Sequence, residues 1–138
     1  MNVKLYFLSA ISALGLASSA FAADTKVGFI YVGPINDGGW TQIHHENALV
    51  MKEYFGDKID MVYQENVAEG ADSERVMTQM ALTGADLIFT TSYGFMDPTI
   101  NVAQKFPDVK FEHATGFKRS DNVSTYSARF YEGRTIIG

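Results

Sequence analysis

Three short segments of the sequence bring together polar and aromatic side chains that could bind a small molecule. Each follows an apolar, β-rich run, and the three are residues 33–40, 90–97 and 115–122. The first offers the amide of Asn36, the carboxylate of Asp37 and the indole of Trp40. Trp presents a large flat apolar surface that stacks well on an aromatic ligand. We therefore predict that Trp40 is a ligand platform; the alternative is that it only packs between a helix and a sheet.

The second segment combines two aromatic side chains with a carboxylate. Tyr93 and Phe95 are followed by Asp97, a set that suits a ring with hydrogen-bonding edges. The alternative is that Phe95 belongs to the core and that Asp97 only caps a helix whose first residue is Pro98. Capping and binding are compatible, so these three residues are candidates for the site.

Other chemistries need spacings that the sequence does not have. His44-His45-Glu46 forms no H-E-x-x-H pattern, and adjacent helical residues point about 100° apart. The glycines of residues 33–39 match no phosphate-binding motif, and no Lys lies near them. A G-x-S-x-G nucleophile motif is also missing. We predict no metal ion, no cofactor and no enzymatic activity.

The charge and the absence of cysteine narrow the partners. The chain has 11 basic and 16 acidic residues, a formal charge of −5, whereas nucleic-acid binding needs clustered Lys and Arg. Without cysteine there is no disulfide and no acylated N-terminal cysteine. We therefore predict that the protein binds no nucleic acid and carries no lipid anchor.

The N-terminus has the pattern of an export signal. A short basic segment precedes an apolar run over 5–20, and Ala20-Phe21-Ala22 fits a signal-peptidase site. We predict that residues 1–22 are a signal peptide, cleaved before Ala23, and that residues 23–138 are periplasmic. The alternative is an uncleaved membrane anchor.

The elements that position the candidate residues alternate between strand and helix. The sequence predicts strands over 26–33, 59–64, 85–91, 109–114 and 123–130, with helices between the first four and a last helix from about residue 131. Asp72 and Asp97 are the predicted N-caps, and Gly56 and Gly84 the predicted helix ends. This alternation predicts an α/β fold with a doubly wound parallel sheet. Ligands bind such sheets at the carboxyl ends of the strands. The last apolar helix has no stop signal, so we expect it to continue into a second lobe.

Several motifs, taken in order, resemble one known family. They are Val27-Gly28-Phe29-Ile30-Tyr31-Val32-Gly33, Asn36-Asp37-Gly38-Gly39-Trp40, Ser92-Tyr93-Gly94-Phe95 and Ala128-Arg129-Phe130-Tyr131-Glu132-Gly133. Residues 26–138 resemble the N-terminal lobe of the BMP (basic membrane protein) substrate-binding proteins of ABC transporters. That resemblance implies a type I periplasmic-binding-protein fold, hinge closure around a small ligand, and an ABC permease as partner.

The resemblance also implies a purine ligand, either a base or a nucleoside. Nucleoside-binding members stack an aromatic residue at the place of Trp40 on the base. They carry Asp where this chain has Tyr31 and Asn where it has Thr41, which favours a free purine base. The remaining candidate ligand contacts are Tyr31, Asn36, Asp37, Tyr93 and Asp97 as polar groups and Phe95 as a second apolar wall. The alternatives are a sugar or flavin ligand on the same fold, or a secreted flavodoxin-like or hydrolase enzyme.

Overall fold

The sheet has five parallel strands, in the order β2-β1-β3-β4-β5. A computed structural model describes residues 24–138, so the predicted signal peptide lies outside the described residues. The strands are β1 (Thr25–Ile30), β2 (Ile59–Gln64), β3 (Leu87–Thr90), β4 (Lys110–Ala114) and β5 (Val123–Tyr126). The helices are α1 (Trp40–Phe55), α2 (Ala71–Leu82), α3 (Met96–Lys105) and α4 (Phe130–Ile137). The predicted α/β class with a parallel sheet is confirmed.

Helices cover both faces of the sheet because side chains alternate along each strand. On β1, Val27 and Phe29 pack with Ala48 of α1, whereas Ile30 packs with Met77 of α2. The larger apolar cluster lies on the side of α2 and α3. Burial on both faces explains why the central strands β1 and β3 are mostly apolar in the sequence.

The predicted helix ends are confirmed, but the two predicted N-caps are wrong. Gly56 follows α1, and Gly84 follows the C-cap of α2 with a φ of 88°, a left-handed conformation that glycine adopts without strain. However, α2 begins at Ala71, so Asp72 lies inside its first turn and bonds Arg75. Likewise α3 begins at Met96, after a 3₁₀ turn, and Asp97 is its second residue.

Four strands are shorter than the sequence predicted, by one residue for β4 and by more for β1, β3 and β5. The first ends at Ile30 rather than at residue 33, and the fifth ends at Tyr126 rather than at residue 130. The β4–β5 connection, residues 115–122, contains no helix although the two strands are parallel. Asn122 stabilises this connection because its Nδ2 donates to carbonyl oxygens at the end of α3 and at Val109.

Candidate functional site

Trp40 lies where the carboxyl ends of the central strands meet. It is the first residue of α1, and its indole N–H donates to the carbonyl oxygen of Thr91 at 2.6 Å. Its ring lies 4.6 Å from that of His44 and 5.8 Å from that of Phe130. These rings border a pocket of about 230 Å³, which Ala114, Thr115, Tyr126, Ser127 and Ala128 complete. The pocket can hold part of a flat molecule.

Asp37 orients the start of α1. Its carboxylate accepts hydrogen bonds from the backbone N–H groups of Gly39, Thr41 and Gln42, at 2.8 to 3.0 Å. These bonds, that from Gln42 first, lower the pKa of Asp37 to about 2. Asp37 thus satisfies amides at the first turn of the helix and sets the direction in which Trp40 leaves the loop. Asn36, beside it, is exposed.

Tyr31 is buried beneath α1 instead of lining the pocket. Its side chain is fully buried, and its ring lies 5.7 Å from that of His45 and 6.0 Å from that of Tyr63. Its hydroxyl has no hydrogen-bond partner among the described residues. Burial raises the pKa of Tyr31 well above its ordinary value, so the phenol is neutral.

The three candidates of the second segment lie in different surroundings. Tyr93 is 58% exposed at the strand-end edge. Phe95 has no exposed surface and belongs to the core between the sheet, α2 and α3. Asp97 is exposed and forms a 2.6 Å ion pair with Lys118 of the β4–β5 connection. Of the three, only Tyr93 presents a large aromatic surface to solvent.

The structure adds residues that the sequence analysis did not select. His44 and Phe130 flank Trp40, and His44 Nδ1 lies 2.7 Å from the Trp40 carbonyl oxygen. Phe130 belongs to a motif that carried the resemblance, but it lies outside the three segments considered. The helical spacing of Trp40 and His44, four residues apart, was the available signal for His44.

Glu69 was also missed, in the loop between β2 and α2. Its Oε1 accepts from Ser92 Oγ at 2.6 Å and from Gly94 N at 3.2 Å. The rule that selected the other loops, the carboxyl end of a parallel strand, applies equally to β2. Glu69, in the loop that follows β2, is therefore a residue that this rule could have indicated.

The adjacent histidines contact different neighbours. His44 packs on Trp40, whereas His45 packs on Tyr31 and Tyr63. Within residues 24–138, no three His, Cys, Asp or Glu side chains are grouped so that they could hold a metal ion. In the same residues, no helix has the length and apolar character needed to cross a bilayer.

Sequence comparison assigns this arrangement to a family. The family model described as "ABC transporter substrate-binding protein PnrA-like" matches residues 24–138. This chain belongs to the Bmp family. The resemblance found in the sequence motifs is therefore confirmed, and the family consists of substrate-binding proteins.

Two curated relatives of this Bmp protein have names that state a ligand. A purine-binding protein of Brucella abortus is 53% identical over 132 residues, which cover 95% of this chain and 38% of that protein. A Haloferax volcanii protein, named for glucose binding in an ABC transporter, is 39% identical over 110 residues, 80% of this chain and 28% of that protein. The chain thus spans less than two fifths of either relative's length.

Solved structures agree on the architecture. An ABC transporter solute-binding protein from Conexibacter woesei matches with a TM-score of 0.66 and 28% identity, over 75% of this chain and 35% of that one. A solute-binding protein from Aeropyrum pernix matches with a TM-score of 0.70 and 24% identity, over 82% and 31%. The first supports the family assignment, and the second supports the fold.

Proposed function

We propose that this Bmp-family protein captures a purine base or nucleoside in the periplasm and delivers it to an ABC permease. The observation that carries the proposal is Trp40, which is fixed through Thr91 at the edge of a pocket where parallel strands end. The name of the Brucella abortus relative supports a purine ligand for this chain.

The shape of the pocket suits one side of a flat heteroaromatic ring. Trp40, His44 and Phe130 supply aromatic surface, while Thr115 and Ser127 add hydroxyl groups. At about 230 Å³ it is smaller than the roughly 300–1,000 Å³ of usual ligand sites. We propose that a second lobe supplies the remaining contacts when the protein closes around the ligand.

The sequence-predicted contacts divide according to accessibility. Asn36 and Tyr93 are exposed at the edge and are proposed to contact the ligand. Asp37 acts by orienting Trp40, and Asp97 reaches a ligand only if its ion pair with Lys118 opens.

Two of the sequence-predicted residues would support the site from the core instead of touching the ligand. Tyr31 and Phe95 are buried in this conformation. Their proposed role is therefore to support the segments 33–40 and 90–97 from the core.

A sugar is the second candidate ligand. The name of the Haloferax volcanii relative favours it, and sugars also stack on Trp faces. A purine is preferred because the purine-binding relative is more similar, 53% against 39% identical.

The experiment is to identify the ligand of the complete protein. Native mass spectrometry of the purified protein, followed by calorimetric titration with adenine, hypoxanthine, guanosine and glucose, should show saturable binding of a purine. Saturable binding of glucose alone would replace the purine proposal with the sugar one. We also propose that the protein is not an enzyme, so the bound compound should be recovered chemically unchanged.

A further inference from the structure

The loop that contains Tyr93 donates hydrogen bonds to a residue of the neighbouring β2–α2 loop. A single oxygen of Glu69, Oε1, accepts from the hydroxyl of Ser92 at 2.6 Å and from the backbone N–H of Gly94 at 3.2 Å. These two donors flank Tyr93 on either side. Glu69 therefore bridges the turn that presents the exposed phenol.

The carboxylate occupies the space that a side chain at position 94 would need. A Cβ placed on Gly94 would overlap the carboxyl carbon and both oxygens of Glu69. Gly94 has no positive φ, so its missing side chain, rather than its backbone freedom, allows this contact. Glu69 and Gly94 thus fit each other sterically.

A buried side chain of the core also contacts the turn at residues 92–94, on the side away from Glu69. His113 is buried, and its Nε2 lies 2.9 Å from the carbonyl oxygen of Ser92. Because a carbonyl oxygen only accepts, this Nε2 carries the proton and donates it. Burial lowers the pKa of His113, which favours the neutral ring. The preceding residue, Thr91, accepts the indole N–H of Trp40. The turn is therefore connected directly to the proposed stacking residue.

We propose that Glu69 is the positioning residue of this site. It holds residues 92–94 in place, so that Tyr93 faces the ligand. It also keeps Thr91 where its carbonyl oxygen accepts the indole N–H of Trp40. This inference rests on the proposed function. It assigns to Glu69 a role through hydrogen bonding and shape, because both bonds end on one oxygen. An amide oxygen can accept the same two bonds, so the negative charge is not required.

The main test compares Glu69→Gln with Glu69→Ala in the complete protein, using calorimetric titration with adenine. Glu69→Gln should retain the wild-type affinity within about twofold, whereas Glu69→Ala should lose about tenfold, the equivalent of one lost hydrogen bond. Glu53→Ala, which removes an exposed carboxylate on α1, is the matched control and should bind as wild type. If Glu69→Gln loses as much as Glu69→Ala, the positioning role is overturned in favour of a charge that acts on the ligand.

A double-mutant cycle tests the steric fit. Gly94→Ala should weaken binding in the wild-type background, because the methyl group displaces the carboxylate. In a Glu69→Ala background, Gly94→Ala should reduce the affinity much less, since the carboxylate that conflicts with the methyl group is gone. Additive losses in the double variant would contradict the proposal. Ser92→Ala removes one donor from the opposite side and should weaken binding in the same direction, which keeps the test available if Glu69→Ala does not fold.

Fluorescence separates this inference from the ligand assignment. Trp40 is the only Trp of this chain, and its emission, after subtraction of a Trp40→Phe variant, reports the Thr91 contact without any ligand. Glu69→Ala should shift that emission, and Glu69→Gln should not. This result supports the positioning role even if no purine binds, in which case only the proposed function fails. Emission that is unchanged in a folded Glu69→Ala protein overturns the positioning role.

Discussion

The indole N–H of Trp40 is already used within the protein, so its ring face is what remains for a ligand. Thr91 accepts the N–H, while His44 and Phe130 pack against the ring and leave a pocket beside it. A side chain fixed at its polar end loses little conformational freedom when a ligand stacks on it. This geometry favours stacking over hydrogen bonding as the role of Trp40.

Replacement of Trp40 tests this role directly. Aromatic–base stacking contributes about 1–3 kcal/mol by alanine substitution, and each 1.4 kcal/mol is tenfold in affinity. We expect Trp40→Ala to weaken purine binding by roughly 5- to 150-fold in calorimetric titration. The purine affinity of Trp40→Phe should lie between those of the wild type and Trp40→Ala, because this variant keeps a ring but loses the hydrogen bond to Thr91. Unchanged affinity in a folded Trp40→Ala protein would show that Trp40 only packs.

Asp37 should make stability depend on pH in the acid range. Its pKa is lowered to about 2, below the roughly 3.9 of a free Asp. The folded state therefore gains stability from the carboxylate above about pH 4 and loses it as the pH falls towards about 2. Melting curves of Asp37→Asn should show a smaller decrease in Tm across that window than wild type. The difference should be modest because Asp37 is exposed to solvent. Parallel curves for the two proteins would contradict this assignment.

The sequence predicted where the candidate residues lie in the fold better than it predicted the surroundings of each side chain. The strand-end rule placed Trp40, Asp37 and Tyr93 on one edge of the sheet, as observed. It could not predict that Phe95 is buried, because a 3₁₀ turn before α3 directs that side chain into the core. Nor could spacing predict the Glu69 contacts, since they join residues 23 and 25 positions apart.

The strands and helices themselves were largely predictable, because the burial of their faces places apolar residues at regular spacing in the sequence. The predicted bounds of β2 match the observed ones, and α1 ends at Phe55, directly before the predicted stop at Gly56. The errors lie at helix starts and at the ends of strands. Gly70 precedes α2 with a φ of 85°, and this sharp entry leaves Asp72 inside the helix. Such a turn depends on tertiary contacts that a capping pattern does not contain.

The helix-free β4–β5 connection should depend on Asn122. Its Nδ2 lies 2.9 to 3.1 Å from the carbonyl oxygens of Ala103, Phe106 and Val109. Asn122→Ala leaves these acceptors without the amide, so we expect the free energy of unfolding to fall by about 1–3 kcal/mol. Asn101→Ala, at an exposed position on α3, is the control and should change it by less than about 0.5 kcal/mol. Equal effects in urea denaturation would contradict the anchoring role.

For the whole molecule, export is the first property to test. Ala20-Phe21-Ala22 predicts cleavage before Ala23. We expect N-terminal sequencing of the periplasmic fraction to read Ala-Asp-Thr-Lys. Ala22→Leu should block processing, because signal peptidase requires a small residue there, and the precursor should stay with the membrane. Mature protein that retains residues 1–22 would contradict the periplasmic proposal.

The proposed closure around the ligand would involve the proposed second lobe as well as the pocket beside Trp40. The described pocket is small and lies at an open edge of the sheet, so a purine stacked on Trp40 would leave its other face to solvent. Burial of that face by a second lobe would add apolar contact and provide the free energy that favours the closed form. We therefore expect the radius of gyration of the complete protein, measured by small-angle X-ray scattering, to decrease when adenine is added to saturation. Trp40→Ala should show the same decrease only at higher adenine concentrations, because it weakens binding without removing the hinge. A saturated wild-type protein whose radius of gyration is unchanged would show that one lobe holds the ligand without closure.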